Sequence, residues 1–247
     1  MKIAFLVTTI PGFFAACIEA LASSPGVEVL LLRVAPDSRA PFALDEVTPT
    51  SAEVKTWPEL PSAEEALEAI EEFDPDVIMV SGWQLTPYRR VARAVADRCL
   101  RVVLLDNQWL GTPKQWLGVL TSRFYLHPFF DVAFLPGRNQ EVFAKKLGFA
   151  EDRIWWGAYS CDLPRFLRAH PDAVRKRSFL FVGRLVPEKG IDVLARAYAQ
   201  YRSTCDDPWE LEIFGSGPLA EALAEAEGVT SNGFAQPSDL PLAYASA

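Results

Sequence analysis

The chain reads as an α/β protein with two doubly wound parallel sheets, the second incomplete. Three observations predict this. Short runs such as KIAFLVT (2–8) and VEVLLLRV (27–34) are apolar at nearly every position, as strands covered on both faces require. They alternate with longer segments of helical periodicity, the pattern of a parallel sheet with crossover helices. The rhythm breaks at residues 160–177, SCDLPRFLRAHPDAVRKR, and then resumes.

The first series runs strand 2–8, helix 13–23, strand 27–34. A Pro- and Ser-rich connection, 35–61, contains a short candidate strand, AEVKTW. Ser62 followed three places on by Glu65 is a capping-box signature opening the helix AEEALEAIEEF. DPDVIMVSG is a strand ending on a glycine turn. Pro87–Arg98 is a helix, RVVLLDN a strand, Pro113–Phe124 a helix, DVAFLP a strand, Asn139–Leu147 a helix and DRIWWGAY a strand. The proline- and charge-rich break is the expected boundary between domains at 1–170 and 171–247. Beyond it, SFLFVGR is a strand, Gly190–Arg202 a helix and WELEIFG a strand. A helix is expected after GSGP with Pro218 at its start, a short strand near VTSNGF, and a last helix over Pro237–Ala247.

Composition narrows the function. Half of the 247 residues are hydrophobic, and the formal net charge of −8 argues against a nucleic-acid partner. Cys17, Cys99, Cys161 and Cys205 are scattered without metal-binding or disulfide-framework spacing, so neither a metal nor a cofactor is expected and the thiols suit a reducing, cytoplasmic setting. The opening MKIAFLVTTIPGFF is too short to span a bilayer and precedes a capable helix, so it reads as a buried first strand.

The sharpest segment is FLFVGRLVPEKG (179–190). A strand delivers Gly183 at its carboxyl end, where ligands of open α/β sheets sit, and a helix opens near Gly190 with free N–H groups. Across this loop Arg184 and Lys189 suit a diphosphate, one as a fork and the other as a point charge. Equally, they suit a surface loop pairing with Glu188 and Asp192. In FGSGPL (214–219), Gly215 and Gly217 allow positive φ and close approach of a ligand to backbone, although a plain tight turn reads the same way. Neither loop is a dinucleotide or P-loop fingerprint.

The run VGRLVPEKGIDVL…WELEIFGSGPL…VTSNGF…LPLAYASA resembles the start of the donor-binding domain of family 4 retaining glycosyltransferases (glycosyl transferases group 1). DVAFLPGRNQEVFAKKLGFAEDRIWWGAYSCDLPRF resembles the end of that family's N-terminal domain, and the first 130 residues match it in architecture. The resemblance implies two Rossmann-like domains in the GT-B arrangement, with a cleft between them. It implies transfer of a sugar from a nucleoside-diphosphate sugar to a saccharide or lipid-linked acceptor, with retention of configuration. Arg184 and Lys189 match the basic pair that stabilises the departing diphosphate. Gly12, in TTIPGFF, falls where an N-terminal glycine loop meets that phosphate, here with only Pro11-Gly12 in place of a glycine pair. Gly233, Phe234 and Ala235 fall where backbone faces the base. The family's paired glutamates are expected beyond Ala247, so the chain as written is expected to lack part of the donor site and to be inactive.

On the acceptor side the candidates are Trp83, Asp106, Asn107 and Trp109. Asp106 and Asn107 stand where family members often carry a histidine. Asp106 can accept a proton from an acceptor hydroxyl or cap the following turn. His127, before Pro128, reads as a packed or solvent-touching loop residue and His170 as solvated. The aromatic stretch with Trp109, Trp116, Phe124, Tyr125, Phe129 and Phe130 reads as core or as a binding surface for a sugar or lipid-linked acceptor. Arg89, Arg90, Arg93, Arg98 and Arg101 are a solvated helix face or a site for anionic headgroups, which would place the protein peripherally at the inner face of a membrane. Two other readings share the architecture: a nucleotide-sugar epimerase, and a non-catalytic nucleotide- or sugar-binding fragment.

Overall fold

The computed structural model describes residues 1–37, 41–168, 170, 172–224 and 226–247. The chain forms two compact units, Met1–Pro36 with Val47–Cys161, and Asp37–Glu46 with Asp162–Ala247. The division falls just before the helix Leu163–Arg168, some residues ahead of the boundary at 170/171 that the sequence predicts. That helix stacks Phe166 edge-on against Tyr244 of the last helix, with ring centroids 5.5 Å apart, which ties it to the second unit.

The first unit runs β1 (Lys2–Leu6), α1 (Gly12–Ala22), β2 (Glu28–Val34), β3 (Glu53–Trp57), α2 (Ala63–Phe73) and β4 (Val77–Ser81). It continues through α3 (Thr86–Ala94), β5 (Leu100–Leu104), α4 (Pro113–Tyr125), β6 (Val132–Leu135), α5 (Arg138–Lys146) and β7 (Ile154–Trp156). These strands form one seven-stranded sheet in the order β3-β2-β1-β4-β5-β6-β7, parallel at every pairing. The chain winds outward from β1 through β3 and then returns to lay β4 on the other side of β1. That reversal opens a crevice at the carboxyl ends of β1 and β4.

The centre of the sheet sits in the core because strands such as β1 and β4 are apolar on both faces, whereas the edge strand β3 has no buried residue. Residues 3–6 of β1 and 29–33 of β2 are buried throughout. Arg33 is tolerated there because its guanidinium donates to Thr56 Oγ1 at 3.1 Å and also to the Val47 carbonyl and the Thr48 hydroxyl. The expected capping box is present on α2: Ser62 Oγ accepts from the Glu65 N–H, and the Ser62 N–H donates to the Glu65 carboxylate. The same device opens α4, with Thr112 and Gln115.

In the second unit α6 (Leu163–Arg168) precedes β8 (Ser178–Val182), α7 (Ile191–Thr204), β9 (Glu210–Phe214), α8 (Glu221–Ala224), β10 (Val229–Ser231) and α9 (Leu240–Ser246). The strands form a parallel three-stranded sheet in the order β10-β9-β8. Two helices differ from expectation. Pro218 lies in a turn rather than at a helix start, and α8 begins only at Glu221, because the Leu219 N–H is bound to the Leu185 carbonyl at 3.1 Å. The last helix starts at Leu240 rather than Pro237, after a turn in which Asp239 accepts from the Gln236 N–H.

Candidate functional site

At the β1/β4 reversal the first unit encloses a cavity of about 420 Å³. Its walls are the loop after β1 (Val7–Pro11), Phe13 and Phe14 of α1, the segment Ser81–Gln84 after β4, Leu104, Asp106 and Asn107 at the end of β5, and Tyr159 beyond β7. The polar lining is Thr8, Thr9, Ser81, Gln84, Asp106, Asn107 and Tyr159, with one carboxylate and no cationic side chain. Together with the indole of Trp83, such a lining suits a hydroxyl-rich neutral ligand.

The sequence candidates Trp83, Asp106 and Asn107 are thus brought together. Gly12 opens α1 between two lining residues, Pro11 and Phe13, and no side chain caps the start of this 11-residue helix. The Asp106 carboxylate makes no hydrogen bond among the described residues; its carbonyl accepts from Gln140, and Thr112 rather than Asp106 caps the next helix. Burial, helped by the charge of Asp106, pushes the Tyr159 phenol above its ordinary value, so it remains a donor at neutral pH. Phe13 and Phe14 hold that ring edge-on, with centroids 5.4 and 6.0 Å away. Thr8, Thr9, Ser81, Gln84 and Tyr159 are absent from the sequence-derived candidates. The signal available for them was position alone, immediately past the carboxyl ends of β1, β4 and β7.

Trp109 does not join this cavity. Its ring packs edge-on against Trp116 at 5.2 Å and lies tilted against Phe143 at 5.7 Å, with the Lys146 ammonium 4.9 Å above it. The basic neighbourhood also divides. Arg101 is buried and paired with Asp131, and Arg98 pairs with Asp74 and Glu71, which leaves only Arg89, Arg90 and Arg93. His127 is a packed loop residue: its Nε2 lies 2.8 Å from the Leu147 carbonyl.

In the second unit the loops after all three strands are sewn together through their backbones. The Gly183 N–H donates to the Phe214 carbonyl and the Leu185 N–H to the Ser216 carbonyl, both at 2.9 Å. The Gly215 N–H donates to the Gly233 carbonyl at 2.6 Å. Gly183, Gly215, Gly217 and Gly233 therefore meet on one surface. The glycines are required first by backbone meeting backbone: a Cβ at Gly215 would stand 1.8 Å from the Gly183 oxygen, and one at Gly217 (φ +154°) 2.4 Å from the Leu185 oxygen. Of the two, Gly217 uses the positive φ open to glycine and Gly215 does not.

Arg184 and Lys189 both project from this surface into solvent, while Leu185 between them is buried in the unit's core. Among the described residues neither cation has an ion pair, and Asp192, a possible partner, is bound instead by Arg196 at 3.5 Å. Gly190, in the left-handed region at φ +69°, caps the 14-residue α7 without a side-chain acceptor. Phe234 packs edge-on against Phe42 at 5.2 Å, and Gln236 bridges to the Ala43 N–H and the Pro41 carbonyl, so Phe234 and Ala235 lie half-buried beneath that strap.

Residues 165–246 match the family model described as Glycosyl transferases group 1. No curated protein sequence matches the chain. Among solved structures, HepE from Anabaena in complex with UDP and glucose is similar at a TM-score of 0.65 and 18% identity, covering 100% of this chain and 72% of that one. A glycosyltransferase from Rickettsia africae is similar at 0.60 and 11%, covering 98% and 70%. The UDP-GlcNAc 2-epimerase from Neisseria meningitidis bound to UDP-GlcNAc is similar at 0.57 and 14%, covering 99% and 75%. At these identities the likeness establishes the fold: the chain is an α/β protein of the Rossmann-like, GT-B kind.

Proposed function

We propose that this protein transfers a sugar from a nucleoside-diphosphate sugar to a saccharide or lipid-linked acceptor with retention of configuration. The observation that carries the reading is the pair Arg184 and Lys189. They stand unpaired and solvent-facing on a glycine-built loop surface, inside the segment that matches Glycosyl transferases group 1. Two free cations beside the uncapped start of α7 suit a diphosphate, and they stabilise it most as negative charge grows on the departing oxygen. The loops at Gly215–Gly217 and Gly233–Ala235 give backbone groups to the nucleotide. In this reading no metal takes part.

In the first unit the cavity is the acceptor-side element. Asp106 takes or steers the proton of the attacking hydroxyl, while Asn107, Trp83 and Tyr159 orient the ring. Contact with a membrane surface belongs to the same reading. The epimerase fold is shared, but the family match favours transfer. An epimerase would interconvert a nucleotide sugar with no acceptor present, so incubation of donor alone separates the two.

The decisive experiment is calorimetric titration with uridine diphosphate, the nucleotide in the HepE complex. The double substitution Arg184→Ala/Lys189→Ala is expected to weaken affinity about 100-fold or more, since each charge-assisted contact contributes about 1.5–3 kcal/mol. Unchanged affinity in a normally folded double variant would overturn the assignment.

A further inference from the structure

Helix α4 is built inside out. Its inner positions carry Gln115, Gly118, Val119 and Ser122, which are half-buried or buried. Its outer positions carry the large apolar side chains: Trp116, Leu117, Leu120, Phe124 and Tyr125 are between 50% and 74% exposed. Leu110, just before the helix, is exposed as well. Leu117, Leu120 and Phe124 follow one another at helical spacing and so form a single stripe. A contiguous patch of this kind on a helix held firmly by a capping box at Thr112 calls for a cover.

The charge around the patch says what the cover is. The protein carries a net −8, yet residues 85–96 and 107–130 contain no carboxylate and five cations, Arg89, Arg90, Arg93, Lys114 and Arg123. Arg90, Arg93, Lys114 and Arg123 have no ion pair among the described residues. The guanidinium of Arg89 lies 5.5 Å from the Tyr125 ring centre, and the Lys146 ammonium lies 5.4 Å from that of Trp116, so positive charge sits directly at the apolar rim. Trp116 and Tyr125 flank the stripe, with an apolar body and a polar edge suited to the headgroup level. A second copy of the chain is a poor cover, because a two-fold contact would press these cations against their own equivalents.

We propose that the outer face of α4, with the Arg89–Arg93 face of α3, docks on the surface of an anionic lipid bilayer, the apolar stripe entering the interface and the cations meeting lipid phosphates. No helix among the described residues is long and apolar enough to cross a membrane, so this is attachment in the plane of the interface. The loop 107–112 is tied to α4 through Gln115, whose amide donates to the Gln108 carbonyl at 2.7 Å and accepts from the Leu110 N–H at 2.8 Å. Docking would therefore set the Asp106–Asn107 wall of the cavity next to the lipid headgroups. This deepens the membrane contact in the reading above, but it rests on α3 and α4 alone.

The test is co-sedimentation of the full chain with vesicles of phosphatidylcholine, with and without phosphatidylglycerol. Binding is expected only where phosphatidylglycerol is present and is expected to weaken as salt rises. Leu120→Ser/Phe124→Ser and, separately, Lys114→Glu/Arg123→Glu are each expected to weaken it about tenfold or more. All four positions are exposed, so thermal unfolding and uridine diphosphate affinity should stay as in the parent. That retained affinity separates failure here from failure of the transferase assignment. Absence of binding to the anionic vesicles, or binding that survives both double substitutions, would overturn the proposal. So would self-association abolished by Leu120→Ser/Phe124→Ser without any vesicle binding, which would assign the face to a second copy.

Discussion

The two units build their candidate sites by opposite means. In the first, a sheet buried on both faces supports a cavity whose character comes from side chains: an indole, a phenol, a carboxylate and several hydroxyls and amides. In the second, burial alternates along β9, with Leu211 and Ile213 inward and Glu210 exposed. The loops there are held by one another's main chains. A side-chain-built cavity tolerates a change of one residue by losing one contact. A surface in which backbone touches backbone has no such slack, because any added atom displaces a whole loop.

The largest effect is therefore expected at Gly215→Ala. The new methyl would stand 1.8 Å from the Gly183 oxygen, and moving the loop should cost about 3 kcal/mol or more. Nucleotide affinity should fall with it, although no ligand-facing side chain changes. The control is Gly190→Ala, where φ is +69° but nothing lies within 4 Å; left-handed strain alone should cost about 1–2 kcal/mol. Urea unfolding of both variants reads the difference, and equal costs would show that the backbone contact at Gly215 is no less forgiving than an open left-handed turn.

A smaller loss is expected at Tyr88→Phe in the first unit. This fully buried phenol donates to the Val7 carbonyl at 2.9 Å, pinning the start of the loop that lines the cavity. Burial raises its pKa far out of the working range, so it serves as a donor at every ordinary pH. Removing the hydroxyl leaves the carbonyl unsatisfied at a cost of about 1–3 kcal/mol. The fold should survive, and the variant's stability is checked against Gly215→Ala in the same urea series.

The same contrast explains what the sequence disclosed. Strand runs such as LLLRV and VIMVS announce a doubly covered parallel sheet by themselves, and Ser62 with Glu65 announces a helix start, because both signals are local. The cavity is not local. Tyr159 meets Asp106 only because β7 and β5 each end on the same side of a sheet whose strand order no single segment encodes. The glycines of the second unit are visible as glycines, but the atom that forbids a side chain at Gly215 belongs to Gly183, on a neighbouring strand. Pro218 looks like a helix start until the tertiary bond between Leu219 and Leu185 makes it a turn. The aromatic stretch through α4 reads from sequence as core or as a binding surface, and the structure turns Trp116, Phe124 and Tyr125 outward. Period alone reports a face, and the packing of neighbours decides which way that face points.

The smallest effect concerns an ion pair that holds the first sheet together away from the cavity. Asp131 precedes β6, and its carboxylate accepts from the Arg101 N–H, Nε and Nη2, at 3.0, 2.9 and 2.6 Å. Burial alone would raise this carboxyl's pKa, but the hydrogen bonds and charge of Arg101 outweigh it and hold the group below its ordinary value. A carboxylate depressed in the folded state stabilises the fold above its unfolded pKa of about 3.9, and that contribution drains away as pH falls through the lower folded value. Asp131→Asn should thus be less stable than the parent at neutral pH, with the gap narrowing below about pH 4. Urea midpoints of the two proteins at neutral and acid pH provide the measurement. A gap of constant size would mean that the pair acts through shape rather than charge.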